Sequence, residues 1–318
     1  MSLNLSLPSR ETFAGKVAFA IGTGRCGTHL LSQLLAHEPA VAASHERNRL
    51  NETFHRYCQW YSLPVDHGGF LHTKAAEVEQ DLQSNSFSFE SSGYLSLSVL
   101  QLYDCFDARF VLMVRRPEAV VNSYWSKGWY ETNPIYLDET QALGFNWYQA
   151  SHPHYIFSRL APTGDERSSW LQLTRVGKLA WFWNELNTAV INRFTAIPTT
   201  HYKIVKLEEL SFQTYQEILS FLGWPSQMSE EKYRQISQTR PGQRERKYTI
   251  SDWSVQEVAE FEAQAEPMAA YFGYPHRYQE LSRPAFQGQE KPATFNHNLK
   301  RTRARVKQWA YHKLFPEG

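Results

Sequence analysis

Between Lys16 and Leu35 the chain passes from an apolar run, through a glycine-rich turn, into a leucine repeat, and few folds accept that unit. Lys16-Val17-Ala18-Phe19-Ala20-Ile21-Gly22 is short, apolar and closed by glycine, the pattern of a strand covered on both faces. The turn carries Gly22, Gly24 and Gly27. Leu30, Leu31, Leu34 and Leu35 then recur at helical spacing, and the helix stops before Pro39. The unit is strand, anion-type loop, helix.

The same alternation continues downstream. Phe87 and Phe89 alternate with polar neighbours over 86–90, a strand, and Leu95 to Tyr103 reads as a helix. Residues 108–114 form a second buried strand that ends at Arg115-Arg116-Pro117, and Pro117 suits the first turn of the next helix, whose inner face carries Val120, Val121 and Tyr124. Val176, Leu179, Ala180, Trp183, Leu186 and Val190 mark one face of a long helix. His201 to Leu207 reads as a strand. Tyr215, Ile218, Leu219 and Leu222 define a short helix closed by Gly223 and Pro225. Ser254 and Glu257 have capping-box spacing before a last core helix that runs through Phe272. Strands alternating with helices predict an α/β fold, an open, mostly parallel sheet with helices on both faces.

Residues 1–280 read as one such domain, with an irregular aromatic-rich insertion over about 129–170. Residues 281–318 form a polar tail with a basic run from Lys300 to Lys307. With Leu299, Val306 and Trp309 that run suits a solvated helix, or one that contacts a membrane surface or a partner.

Composition narrows the function classes. Hydrophobic residues make up 42% and charged residues 20%, as in a folded protein, and the formal net charge of +1 gives no general pull toward nucleic acid. Any anion site must arise from local arrangement. No apolar stretch reaches the ~20 residues of a membrane span. No secretory signal is visible near residue 1. Cys26, Cys58 and Cys105 fit neither a disulfide framework nor a zinc site, so a cytoplasmic location without a required metal is expected.

The loop Gly22-Thr23-Gly24-Arg25-Cys26-Gly27-Thr28-His29 lies where backbone N–H groups and a helix dipole gather an anion. Gly22 and Gly27 have the spacing of a nucleotide-triphosphate loop, but Thr28 stands where its lysine would be. The cation is Arg25, inside the loop. That placement suits a 5′-phosphosulfate better than a magnesium-bearing β,γ-phosphate pair. A second anion site is expected at the end of the 108–114 strand, because open α/β sheets bind ligands at the carboxyl ends of their strands. Arg115 sits there, able to grip phosphate bidentately, and Ser123 lies two helical turns further on.

Taken together, the two segments resemble the superfamily of sulfotransferases that use 3′-phosphoadenosine 5′-phosphosulfate (PAPS), a P-loop-type fold. Its Gly-x-x-Arg/Lys-x-Gly-Thr/Ser loop is matched by Gly22 to Thr28. Its Arg-x-Pro segment with a serine eight residues after the arginine is matched by Arg115, Pro117 and Ser123. The resemblance extends to Lys206-Leu207-Glu208-Glu209-Leu210 and Phe221-Leu222-Gly223-Trp224-Pro225, and covers roughly residues 16–275. It implies that Gly24, Arg25, Cys26, Gly27, Thr28 and His29 hold the 5′-phosphosulfate, while Arg115 and Ser123 hold the 3′-phosphate. Two positions depart from the pattern. His29 replaces a second hydroxyl residue, and Glu90-Ser91-Ser92 stands where many members place a lysine.

The reaction so implied moves a sulfuryl group to an acceptor hydroxyl of a small molecule, lipid or carbohydrate, and it needs a base. In the glutamate-dependent branch, which includes tyrosylprotein and some bacterial sulfotransferases, the base falls about 21 residues after the loop cation; Glu46 has that spacing from Arg25, and His45 is the alternative. The resemblance further implies a late basic loop over the 3′-phosphate, for which Arg244, Arg246 and Lys247 are candidates. Trp129, Tyr130, Tyr136, Phe145, Trp147 and neighbouring aromatics of the insertion suit an acceptor pocket or ordinary packing. Two other readings compete: a P-loop kinase-like phosphotransferase, and a phosphonucleotide-binding protein without catalysis.

Overall fold

In the computed structural model, which describes residues 8–131, 157–238 and 248–275, five strands form one sheet in the order β2-β3-β1-β4-β5, every neighbouring pair parallel. They are β1 (Val17–Ile21), β2 (Val41–His45), β3 (Phe87–Ser91), β4 (Arg109–Val114) and β5 (Tyr202–Lys206). The helices are α1 (Arg10–Phe13), α2 (Thr28–Leu35), α3 (Arg49–Trp60), α4 (His67–Leu82), α5 (Val99–Phe106), α6 (Pro117–Trp125), α7 (Glu166–Gln172), α8 (Arg175–Phe194), α9 (Phe212–Leu222), α10 (Glu230–Gln238) and α11 (Val255–Tyr271). All of these belong to one unit, Met1–Ser282.

The side-chain alternation of the central strands divides the core in two. Val17, Phe19 and Ile21 of β1, with Phe110, Leu112 and Val114 of β4, pack under α5, α6, α8 and α11. Ala18, Ala20, Val111 and Met113 face the other way, against Leu31, Leu34 and Leu35 of α2 and Tyr215, Ile218 and Leu219 of α9. The small alanines of β1 suit the close approach of α2 on that face.

Because all strands run the same way, their carboxyl ends share one edge. The anion-type loop leaves β1 there, Glu46 follows β2, Ser92 and Gly93 follow β3, Arg115 follows β4 and Leu207 follows β5. The sheet therefore gathers residues as far apart in sequence as Gly22 and Leu207.

Several expectations sharpen here. The 95–103 helix is a 3₁₀ turn at Gly93–Leu95 followed by α5. Gly223 closes α9 in the left-handed region at φ 70°, and the Ser254–Glu257 capping box is formed in both directions. The 129–170 insertion is not irregular throughout. Trp129 and Tyr130 are core residues packed on Tyr124, Trp170 and Phe182, and residues 166–172 form α7. Positions 132–156 lie outside the described residues, as does the 281–318 tail. Among the described residues no helix is long and apolar enough to cross a membrane.

Candidate functional site

The loop after β1 has a left-handed, tightly walled backbone. Gly24 and Gly27 take φ of 79° and 101°. A side chain on Gly24 would strike the Tyr124 hydroxyl, and one on Gly27 would meet Leu207 Cδ1 at 2.6 Å, so both positions require glycine. The Tyr124 hydroxyl donates to Thr23 O at 2.6 Å, and Ser96 Oγ lies 2.6 Å from Gly22 O, which fixes the loop from below. Gly27 is the N-cap of α2 and offers that helix no side-chain cap.

Each predicted loop residue has a distinct place. Arg25 and His29 are exposed, Gly24 and Gly27 half-buried, Cys26 and Thr28 buried. Burial pushes the Cys26 thiol up to about 11, which leaves it a packing residue that can offer an anion only its backbone.

The two anion sites read from the sequence meet in space. Arg25 Nε donates to Ser123 Oγ at 2.9 Å, and Arg115 Nη1 donates to Arg25 O at 3.1 Å. Arg115 is also tied through its own carbonyl, which accepts from Trp183 Nε1 at 3.2 Å. Neither guanidinium forms an ion pair among the described residues. Burial lowers the Arg115 pKa, Glu208 opposes that shift and the charge of Arg25 adds to it. Arg25 and Arg115 thus place two cations at one point of the sheet edge, with Glu208 near enough to Arg115 to favour its charged form.

Glu46 leaves β2 with φ 49°, its N–H donating to Ser91 O at 3.0 Å. Its carboxylate is about a quarter exposed and pairs with Arg49 Nε at 3.1 Å, Arg49 itself being half exposed. Burial holds the Glu46 pKa above the usual carboxylate value; Arg49 pulls it down and nearby Glu52 pushes it further up. His45 Nε2 lies 3.7 Å from Glu46 Oε1, and His45 Nδ1 lies 2.9 Å from Ser91 O. A carbonyl only accepts, so Nδ1 carries the proton. Burial lowers the His45 pKa to about 4, so the ring is neutral near pH 7. The rings of His45 and His29 approach with centroids 4.8 Å apart, which joins the Glu46 turn to the first turn of α2.

Beneath that turn is a charge cluster that sequence reading missed. Lys74 of α4 is fully buried and reaches Glu52 at 2.7 Å, Glu77 at 2.9 Å and Glu90 at 2.8 Å. Glu90 stands where the family resemblance leads one to expect a lysine; here it is a carboxylate partner of a buried lysine from α4. The available signal was Glu90 itself, a carboxylate in a strand buried on both sides, which demands a partner.

Arg244, Arg246 and Lys247 lie outside the described residues. Tyr248, which follows them, stacks on Trp125 with centroids 3.8 Å apart, and Trp253 Nε1 donates to Asn122 Oδ1 at 3.1 Å. The chain thus re-enters the fold on α6, beside Ser123. Of the insertion's aromatics, Phe157 meets Phe54 and Tyr57 of α3 edge-on.

The architecture is an open parallel α/β sheet with an anion-type loop at its carboxyl edge. Among solved structures the chain is similar to the sulfotransferase STF9 of Mycobacterium avium, with a TM-score of 0.52 at 11% identity over 85% of this chain and 79% of that one. The sulfotransferase domain of the Synechococcus PCC 7002 olefin synthase (TM-score 0.42, 13% identity, 97% and 98% covered) and that of the curacin biosynthetic pathway (0.45, 14%, 82% and 98%) also align. No family model and no curated protein matches the sequence. The fold is shared with STF9, the open parallel α/β arrangement that the sequence led one to expect.

Proposed function

We propose that this chain is a sulfotransferase that moves the sulfuryl group of PAPS to an acceptor hydroxyl by in-line displacement. The observation that carries the reading is the convergence, at one sheet edge, of two guanidiniums that form no salt bridge among the described residues and a half-buried carboxylate of raised pKa. Arg25, Arg115 and Ser123, with the N–H groups at the start of α2, are the groups that would hold the two anionic ends of the nucleotide. The 3′-phosphate is what separates this nucleotide from other adenine nucleotides, and Arg115 with Ser123 is assigned to it. Gly24 to His29 and Arg25 are assigned to the 5′ end, and the 2.9 Å bond from Arg25 to Ser123 makes the two grips one continuous surface.

PAPS supplies an activated sulfuryl group, and the chain supplies position and proton transfer. Glu46 is assigned the base, since burial raises its affinity for the acceptor proton toward the range in which a carboxylate works well. His45, neutral and fixed through Nδ1, is assigned the role of alternative proton acceptor. A kinase-like reading is disfavoured by the buried Thr28 at the position a phosphate-binding lysine would fill. Hydroxyl acceptors of small molecules, lipids or carbohydrates all suit this chemistry.

The direct test is transfer of labelled sulfuryl groups from PAPS to a panel of alcohols, phenols, lipids and sugars. Glu46→Gln is expected to lower turnover by ~100-fold or more, the contribution general base catalysis typically makes, with 3′-phosphoadenosine 5′-phosphate (PAP) affinity nearly unchanged. Near-wild-type turnover in that variant removes Glu46 from the mechanism.

A further inference from the structure

The reading of Glu46 as the base raises the question of what holds its backbone in the left-handed region, where a residue with a side chain rarely sits. We infer that Lys74, acting through Glu52 and Glu90, is a positioning residue that locks the Glu46 turn in place; the inference rests on the base assignment above.

The contacts run outward from the ammonium group. Glu90 binds Lys74 with Oε2 and accepts the Arg47 N–H at Oε1, 3.0 Å away. Glu52 binds Lys74 with Oε1, and the same oxygen accepts the Asn48 N–H at 3.0 Å. Its Oε2 accepts from Ser92 Oγ at 2.6 Å, which ties the cluster to the end of β3. The two amides that follow Glu46 are thus held by carboxylates whose own positions are set by one buried cation. The Arg47 side chain closes the arrangement, with Nη2 2.8 Å from both oxygens of Asp81 and Nη1 donating to Glu77 O at 2.9 Å. Glu77 is the third partner of Lys74. Directly or through Glu52 of α3, these contacts connect α4 and β3 to the turn 46–48.

A cluster that only pinned α4 to the sheet would not need its carboxylates aimed at those amides. Glu46 is also one of five non-glycine residues with positive φ among the described residues, a conformation that persists only when its surroundings over-determine it. Removal of the cation would leave buried carboxylates without compensation, so the turn would relax with them. The anion-type loop leaves β1 and makes none of these contacts, so nucleotide binding should be separable from the lock.

The test compares wild type with Glu90→Gln, a near-isosteric change expected to fold, and with Lys74→Met. Amide hydrogen exchange is measured at Arg47 and Asn48, PAP affinity by calorimetry, and kcat and KM with an acceptor taken from the panel above. In Glu90→Gln, exchange at Arg47 and Asn48 is expected to accelerate by ~10-fold or more as local opening becomes easier. Turnover is expected to fall ~10- to 100-fold, the cost of a displaced catalytic group. PAP affinity should stay within about twofold, since the nucleotide grips are untouched. Unchanged exchange at both amides, or unchanged kcat, overturns the lock; equal losses in kcat and PAP affinity reduce it to a general structural role and overturn it as well. Should Lys74→Met fail to fold, Glu90→Gln decides alone. A wild-type protein that transfers nothing while the variant still exchanges faster would sink the base assignment and leave the lock standing.

Discussion

At the scale of single residues, backbone strain marks the candidate site. Arg25 and Glu46, selected from sequence as loop cation and base, are two of the five described non-glycine residues with positive φ. A left-handed conformation costs a residue with a Cβ roughly 1–2 kcal/mol. Comparing Glu46→Gly with Glu46→Gln isolates this cost, since both lack the carboxylate. The glycine variant is expected to be more stable by about 1 kcal/mol in urea denaturation, while both are inactive; a less stable glycine variant would mean the turn is not strained. The ionised form of Glu46 is the base, so activity should fall as pH drops through its raised pKa, and the acid limb should lie above the ordinary carboxylate value of 4.5. Arg49 pulls that pKa down, so Arg49→Gln should move the limb to higher pH. A limb that stays in place, or moves down, in the pH–rate profile would contradict the assigned electrostatics.

Among the elements, α11 shows how a local violation is repaired from outside. Pro267 lies within the helix and disturbs its hydrogen bonding, and the adjacent Met268 N–H donates to Asn184 Oδ1 of α8 at 3.1 Å. Asn184→Ala should therefore destabilise the protein by about 1–3 kcal/mol, the cost of a buried unpaired donor, as read from thermal or urea unfolding. A neutral effect would show that the donor finds another acceptor. The elements that sequence revealed best were those with clean apolar periodicity. β1, α2, β4 and α8 all bury continuous or regularly spaced hydrophobic faces. α3 and α4 were invisible for the opposite reason: their inner faces carry Glu52, His55, Arg56 and Lys74, buried polar residues that read as surface when only hydropathy is followed. The same feature hid the Lys74 cluster, because its three carboxylates come from three separate elements and no spacing rule links them. The Glu46 turn was legible as a segment returning to the sheet edge, yet its left-handed backbone was not.

For the whole molecule, the sheet is the device that makes the site. Strand order β2-β3-β1-β4-β5 places the Glu46 turn two strands from the anion-type loop on one side and Arg115 one strand away on the other. The His29–His45 contact spans the first gap, and the bonds among Arg25, Ser123 and Arg115 span the second. Motif order in the sequence was enough to anticipate this edge, since parallel strands must share it; which groups touch one another depended on side-chain geometry. The central claim is that Arg25 and Arg115 are a cationic pair for a nucleotide bearing phosphate at both its 3′ and 5′ positions. Calorimetric titration of PAP into wild type, the single Arg25→Ala and Arg115→Ala variants and the double variant tests it most directly. Wild type is expected to bind PAP in preference to ATP–Mg, with each single change weakening binding by ~10- to 100-fold, the worth of about 1.5–3 kcal/mol per charge-assisted contact, and the double change abolishing it. A folded wild type that ignores PAP at millimolar concentration, or a double variant that binds it as well as wild type does, would contradict the account.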